Sequence, residues 1–170
     1  ISKICGEALC QHAGVPFTIV RPHNLYGPRM GMAHVIPELL NRAYHADDGR
    51  LDVFSLEHSR TFCYITDGIE MIQRAAESHA CTGETLNIGN QAPEITIGQL
   101  ADIVLRVMSR ELKVVPQPAT AGSPLRRCPD MRKTIKLTGY LPKIGLEEGI
   151  GLTYGWYKTH VFNNNGVTAK

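Results

Sequence analysis

The sequence feature that most constrains the fold is residues 17–21, Phe-Thr-Ile-Val-Arg, which stand between Pro16 and Pro22. β-Branched and aromatic side chains dominate this segment, as is typical of a buried central strand. Pro22 ends the strand because proline has no backbone N–H to donate. Before it, apolar residues recur at helical spacing up to Gly14, so residues 1–13 are predicted to be the end of an amphipathic helix. Helix, tight turn, strand and polar loop, in that order, indicate an α/β fold.

The rest of the chain continues this alternation of helices and strands. Helices are predicted over residues 37–46, 68–78, 97–108, 130–138 and 146–162, and strands over residues 51–54, 61–65, 85–88 and 112–115. Two helices are expected to begin with capping boxes, one formed by Asp67 and Glu70 and the other by Thr96 and Gln99. Glycines in the last predicted helix each cost up to roughly 1 kcal/mol relative to alanine, so this helix must depend on packing around Trp156.

Composition and charge exclude several classes of protein. With 170 residues, 43% of them hydrophobic and 20% charged, the chain is typical of about one globular domain. A net charge of +2 indicates no nucleic-acid or membrane partner, and the local positive cluster of Arg126, Arg127, Arg132 and Lys133 suits a phosphate group better than a polymer. No apolar run approaches the roughly 20 residues that span a bilayer, and no signal-peptide pattern opens the chain, so we expect a cytoplasmic protein.

Neither disulfide nor metal chemistry is indicated. The five cysteines are odd in number and contain no Cys-x-x-Cys pair, which argues against a disulfide framework and a zinc site. His23, His34 and His58 have separations that match no common ligand spacing. No metal site is therefore predicted, and the cysteines are expected to be reduced packing residues.

Several blocks of sequence together resemble one known family. Residues 21–28, Arg-Pro-His-Asn-Leu-Tyr-Gly-Pro, resemble the Arg-Pro-x-Asn-x-Tyr-Gly-Pro motif of the extended short-chain dehydrogenase/reductases that act on nucleotide sugars. Further matches follow in the family's order, at residues 60–67 (Arg-x-Phe-x-Tyr-Val-x-Asp in the family), 87–89 (Asn-Ile-Gly), 126–130 (Arg-Arg-x-Pro-Asp), 139–143 (Gly-Tyr-x-Pro-Lys) and 146–150 (Leu-Glu-Glu-Gly-Leu). The chain is thus similar to the NAD-dependent nucleotide-sugar epimerases and dehydratases, and in particular resembles UDP-glucose 4-epimerases.

The resemblance implies the C-terminal part of a Rossmann-type fold together with its small substrate-binding α/β domain. Residues 1–33 would be the last helix and strand of the truncated dinucleotide-binding domain, and residues 34–162 the nucleotide-sugar-binding region, with residues 85–89 returning to the Rossmann sheet. Residues 163–170 are expected to be a disordered tail. The chain begins with Ile1, and neither the family's glycine-rich dinucleotide fingerprint nor its catalytic tyrosine falls within it, so we expect a fragment or an incomplete record.

The implied chemistry is a transient hydride transfer with NAD as cofactor, most of whose site would lie outside this chain. Lys3 matches the lysine of the family's Tyr-x-x-x-Lys motif and would be the catalytic residue here. An ammonium about 4 Å from the tyrosine, at an effective dielectric near 20, supplies roughly the 4 kcal/mol needed to bring a tyrosine pKa from about 10 to about 7. Lys3 would also hold the nicotinamide ribose, with Pro22 and His23 beside the cofactor. Spacing alone would instead make Lys3 a solvent-exposed partner of Glu7.

Three further residues are implied to contact the substrate, a nucleotide sugar that we expect to be UDP-linked. Asn24 would hydrogen-bond near the pyrophosphate, and the alternative is an asparagine that serves a local turn. Val35 and Phe54 match positions near the base of the nucleotide. For both of these apolar residues, an ordinary core position is the alternative.

Three arginines carry the expected phosphate contacts. Arg60 enters a strand among aromatic and β-branched residues, where its charge needs a partner, and a diphosphate suits its fork-shaped donors. A salt bridge of Arg60 with Asp67 or Glu57 is the alternative. Arg126 and Arg127 are both implied to contact phosphate or ribose, and of the two we expect Arg127 to point inward.

Two classes of function follow. The first is the substrate-binding half of an NAD-dependent enzyme of the UDP-sugar 4-epimerase type, with UDP-glucuronate decarboxylase and sugar 4,6-dehydratase as alternatives within the family. The second is a non-catalytic nucleotide-sugar-binding fragment. Completion of the enzyme would need the missing N-terminal half or a homodimer partner, for which the helix at residues 1–13 would supply part of the interface.

Overall fold

Helices packed against short, mostly parallel strand pairs build the chain in the computed structural model, which describes residues 1–163. The helices are α1 (Ser2–His12), α2 (Val35–His45), α3 (Ile65–Glu77), α4 (Ile97–Met108), α5 (Arg132–Thr138) and α6 (Leu146–Tyr157). The strands are β1 (Ile19–Pro22), β2 (Leu25–Tyr26), β3 (Arg50–Phe54), β4 (Ser59–Arg60), β5 (Cys63–Tyr64), β6 (Thr85–Ile88), β7 (Ile95–Thr96), β8 (Lys113–Gln117) and β9 (Arg126–Arg127). A 3₁₀ turn spans His79–Cys81, and a π-helical turn spans Lys158–Phe162. The predicted α/β class is confirmed.

The strands form four small sheets within residues 1–163. Three are parallel pairs, β1 with β6, β2 with β5, and β3 with β8. In the fourth sheet, β4 lies between antiparallel β7 and parallel β9. Parallel strands need crossover connections, and α2, α3 and α4 lie in those connections. Although β6 pairs with β1, the division at residues 33 and 34 stays a prediction, and residues 164–170 of the predicted tail lie outside the described part of the chain.

The largest apolar core lies where α2, α4 and α6 pack together over β3. Its centre consists of side chains that are at most 1% exposed: Leu40, Leu51, Val53, Leu100, Val104 and Ile150. Burial of a side chain of this size stabilises the fold by about 1.5–3 kcal/mol. The capping box predicted for α4 is confirmed, since Thr96 Oγ1 accepts from the Gln99 N–H at 3.1 Å and Gln99 Oε1 accepts from the Thr96 N–H at 2.9 Å.

The capping box predicted around Asp67 is wrong. α3 begins three residues before the predicted start at Gly68, at Ile65, and Asp67 therefore lies inside its first turn. The Asp67 side chain is buried and accepts hydrogen bonds from the Tyr140 hydroxyl at 2.8 Å and from the backbone N–H groups of Lys143 and Ile144 at 3.1 and 3.0 Å. Asp67 therefore does not cap α3 but links this helix by hydrogen bonds to the segment before α6.

The predicted N-terminal helix and strand both form, but they are less buried than expected. α1 ends at His12 ahead of Gly14, and none of its residues is buried among the residues described. Ile4 and Leu9, on its apolar face, are 73% and 72% exposed. In β1 only Ile19 is buried, because β6 covers one edge of this strand and no other described strand pairs with it.

The α-helical part of the predicted helix over residues 146–162 ends at Tyr157, where the π-helical turn takes over. Trp156 is only partly buried, whereas Tyr157 and Ile150 are almost fully buried and hold α6 in place. Packing stabilises this glycine-rich helix, as predicted: Trp156 packs against the core, and its neighbour Tyr157 is more deeply buried. Within residues 1–163, no helix combines the length and apolar character needed to cross a membrane.

Gly149 allows α6 to approach β2 and β5 closely. A Cβ added there would lie 2.9 Å from Tyr26 Cζ and 3.0 Å from Tyr64 Cδ2, and still closer to the Tyr26 hydroxyl. That hydroxyl donates to the Leu146 carbonyl of the same helix at 3.2 Å. Ordinary side chains do not fit in such a contact without displacing their neighbours.

We therefore expect Gly149→Ala to lower the free energy of unfolding by about 1–3 kcal/mol, because the new methyl group must displace two packed tyrosine rings. Urea unfolding followed by circular dichroism measures the change. Gly155→Ala is the matched control on the same helix, where an added Cβ has nothing within 4 Å. This control should raise stability by up to about 1 kcal/mol through helix propensity. Equal effects of the two substitutions would contradict the close contact at Gly149.

Candidate functional site

A pocket of about 470 Å³ opens where the loop after β1 meets the start of α2. Its walls come from residues 22–36, from Phe62 and from Arg127, which are distant in sequence. This volume falls within the range of small-molecule sites. The parallel pairing of β2 with β5 and of β4 with β9 brings these three segments together.

Asn24 lines this pocket with an unusual backbone conformation. Its φ of 44° lies in the left-handed region, which asparagine tolerates better than most residues. Its side-chain Nδ2 donates to the Thr61 carbonyl at 2.9 Å, and its own carbonyl accepts from the Cys63 N–H at 3.2 Å. Asn24 therefore forms local structure and also lies at the pocket wall, so the two sequence interpretations are not exclusive.

Arg60 is buried without a carboxylate partner. The residue is 8% exposed, and its guanidinium donates to the carbonyls of Ser59 and Pro124, each at 2.7 Å, to Ser123 Oγ at 2.9 Å and to the Leu125 carbonyl at 3.4 Å. Among residues 1–163 no ion pair includes Arg60. Burial, with repulsion from Arg127, lowers the pKa of Arg60.

The alternative partners of Arg60 are therefore wrong. Asp67 binds Tyr140 and the backbone of residues 143 and 144, and Glu57 forms no ion pair within the described part of the chain. A cation held only by neutral oxygens in a buried position is costly, and an anion would compensate it.

A second cavity, of about 230 Å³, shares one wall residue with the first. Arg60, Phe54, Ser55 and Ser123 are among its walls, and Val35 lines both cavities. Phe54 is 41% exposed, so the core alternative is wrong for this residue. Val35 is half-buried at the start of α2 and packs beside the core as well as lining the cavities.

Arg126 and Arg127 point in different directions, as neighbours in a strand do. Arg126 forms a two-pronged ion pair with Glu94, with N–O distances of 2.6 and 2.7 Å. This hydrogen bonding raises the pKa of Arg126 and lowers that of Glu94. Arg127 instead lines the first cavity and lies opposite Arg60 in the strand register. The geometry favours Arg127 as the ligand residue and gives Arg126 a structural partner.

The residues expected beside the cofactor lie at the carboxyl ends of β1 and β6. Pro22 lines the first cavity. The ring Nε2 of His23 is 3.3 Å from Asn87 Oδ1, and the backbone N–H of His23 donates to the Ile88 carbonyl. In open parallel sheets this edge is where ligands bind. Lys3 is exposed on α1.

The pairing of Lys3 with Glu7 is wrong. Both carboxylate oxygens of Glu7 accept from Arg21, at 2.8 and 2.5 Å. Arg21, in β1, thus forms an ion pair with Glu7 of α1. The cofactor and catalytic roles of Lys3 stay predictions.

Sequence reasoning missed the polar residues around Arg60. Ser55, His58, Thr120 and Ser123 occupy turns and loops, where neither periodicity nor a motif marks them. Ser55 has a φ of 56°. Only the structure shows that it forms hydrogen bonds with Thr120, 65 positions later. Residues 1–163 contain no group of three or more histidine, cysteine or acidic side chains arranged for a metal ion.

Comparisons with known proteins point to one family. A model of the NAD dependent epimerase/dehydratase family matches residues 1–89. UDP-glucuronic acid decarboxylase 6 of Arabidopsis thaliana is 31% identical over 144 residues, with 84% of this chain and 40% of that protein covered. UDP-N-acetyl-alpha-D-glucosaminuronate decarboxylase of Bacillus cytotoxicus is 31% identical over 170 residues, with 93% and 52% covered.

Solved structures share the fold. UDP-glucose 4-epimerase of Thermotoga maritima, with UDP-glucose, has a TM-score of 0.81 at 25% identity, and 93% of this chain and 51% of that chain are covered. UDP-glucuronic acid 4-epimerase of Bacillus cereus, with UDP-glucuronic acid and NAD, has a TM-score of 0.82 at 26% identity with the same coverage. The chain spans about half the length of these relatives. From the matched model, the relatives and the shared fold, the chain belongs to the NAD dependent epimerase/dehydratase family.

Proposed function

We propose that this chain is the nucleotide-sugar-binding part of an NAD-dependent enzyme that alters the sugar of a UDP-sugar through transient hydride transfer. The buried, carboxylate-free guanidinium of Arg60 is the observation that carries this proposal. Arg127 lies opposite Arg60 in the register, so two cations that repel each other stand at one site. A diphosphate would neutralise both and accept charge-assisted hydrogen bonds from Arg127 and from the Nε–H of Arg60, which forms none of the four hydrogen bonds described above.

The two cavities that Val35 lines suit the two ends of such a ligand. Asn24 and Arg127 border the larger cavity, which would receive the sugar and the adjoining phosphate. Phe54 and Arg60 border the smaller one, where the exposed phenylalanine ring offers an apolar surface for the base. Val35 would then contact the middle of the nucleotide.

The cofactor would lie at the carboxyl ends of β1 and β6. Pro22 and His23 stand at that edge, which is where the parallel arrangement favours a dinucleotide. Lys3 would hold the nicotinamide ribose and lower the pKa of a tyrosine that is not part of this chain. NAD, when bound, supplies the hydride acceptor for the sugar carbon.

The first choice of reaction is 4-epimerisation, and decarboxylation of a UDP-sugar acid is the second. The second is favoured by the two curated relatives described above, both named as decarboxylases of UDP-sugar acids. Incubation of the protein that carries this chain with NAD and UDP-glucose, or with UDP-glucuronic acid, separates them. A 4-epimer of either substrate supports the first choice, and release of carbon dioxide from UDP-glucuronic acid supports the second. Binding of the UDP-sugars without any turnover would indicate a nucleotide-sugar-binding module.

We expect Arg60→Ala to weaken binding of UDP to the 170-residue chain at least tenfold, because a charged hydrogen bond contributes about 1.5–3 kcal/mol. Isothermal titration measures the affinity. Uridine is the control ligand, because it lacks the diphosphate, and its binding should stay within twofold in a folded variant. Arg60→Lys keeps the charge but loses the fork, so an intermediate loss is expected. Unchanged UDP affinity in Arg60→Ala would contradict the proposed function.

A second prediction compares neighbouring arginines. Arg127→Ala should weaken UDP binding about three- to tenfold, since this side chain lines the cavity. Arg126→Ala is the matched control, because it removes the neighbouring arginine of the same strand but breaks only the exposed ion pair with Glu94. UDP affinity should then stay within twofold. The same titration serves both variants, and a larger loss in Arg126→Ala would reverse the assignment.

A further inference from the structure

The segment between β8 and β9, residues 118–125, is here called the strap. Its residues Thr120 and Ser123 line the smaller cavity together with Arg60. None of its residues is buried, and Leu125, its largest apolar side chain, is 68% exposed. Apolar packing therefore does not hold the strap in place. Its position depends on polar contacts with residues that follow β3.

Several of these contacts converge on one guanidinium. Three of the four hydrogen bonds of Arg60 go to the strap, at Ser123 Oγ, the Pro124 carbonyl and the Leu125 carbonyl. Only the Ser123 contact is made by a side chain of the strap. The orientation of the planar Arg60 group can thus be altered by one hydroxyl without changing the backbone.

Ser123 has a second partner in His58. Ser123 Oγ lies 3.2 Å from His58 Nδ1 and 2.9 Å from Arg60 Nη2. Because the hydroxyl oxygen accepts from Arg60, its single proton is available to His58. His58 is itself buried, and backbone hydrogen bonds to Ser55 and Ile97 fix its position.

We propose that Ser123 is a positioning residue that orients the Arg60 guanidinium toward an anionic ligand, and that His58 orients Ser123. The proposal rests on the proposed function of Arg60 as a diphosphate contact. A guanidinium that is already immobilised loses little conformational freedom when the ligand binds, which favours affinity. Loss of the hydroxyl would leave Arg60 with carbonyl partners only and a wider range of orientations.

The test is a double-mutant cycle on UDP binding to the 170-residue chain. NMR titration measures the affinity, so that weak binding is still detected. Ser123→Ala should weaken UDP binding about five- to tenfold, and in the Arg60→Ala background by less than twofold. Ser123→Thr keeps the hydroxyl and should restore affinity. His58→Asn keeps an acceptor near the Nδ1 position and should bind UDP better than His58→Leu. Ala121→Ser, which alters an exposed strap residue outside these contacts, is the matched control.

A second readout needs no ligand. The side-chain N–H signals of Arg60 should be separate in the unaltered chain and in Ala121→Ser, and should average together in Ser123→Ala because the guanidinium then rotates more freely. An equal loss of UDP affinity from Ser123→Ala in both backgrounds, or unchanged Arg60 signals, would overturn the positioning role. If Arg60→Ala itself leaves UDP binding unchanged, the proposed function fails, and the Arg60 signals still decide whether Ser123 orients the guanidinium.

Discussion

A buried positive charge without a carboxylate partner is the constraint from which the candidate site follows. Arg60 is surrounded by neutral oxygens of Ser59 and of the strap, so its charge is solvated but not neutralised within residues 1–163. Arg127, on the paired strand, adds repulsion. Such an arrangement is unfavourable in the free protein and becomes favourable when an anion binds. The site therefore favours a ligand that carries a phosphate group.

The walls of the site depend on a helix that contributes no side chain to them. α6 accepts a hydrogen bond from the Tyr26 hydroxyl, and the hydroxyl of Tyr157 donates to the Met30 carbonyl. Tyr26 and Met30 both line the larger cavity. The close approach at Gly149 permits this packing, so α6 supports a cavity that is formed mainly by residues 22–36.

Local patterns predicted local structure well and tertiary roles poorly. Thr96 and Asp67 stand in the same sequence pattern, each with a glutamine or glutamate three positions later, yet only Thr96 caps a helix. Asp67 instead binds Tyr140 and the backbone beyond it, more than 70 positions away. Nothing near Asp67 in sequence indicates that partner. The exposed ring of Phe54 was equally ambiguous, because an apolar residue at a strand end is compatible with core and with surface.

The amino-acid sequence by itself determined the α/β class and the order of the main helices and strands, since these depend on periodicity, capping and residue type. The family resemblance added Asn24, Arg60 and the pair Arg126 and Arg127 as expected site residues. Tertiary structure decided which arginine faces the cavity, what Arg60 contacts in place of a carboxylate, and how Ser123 and His58 join that contact. The physical reason is the range of the interactions. Periodicity and capping act over a few residues, whereas the partners of Arg60, Arg126 and Ser123 that define this site include residues more than 30 positions away.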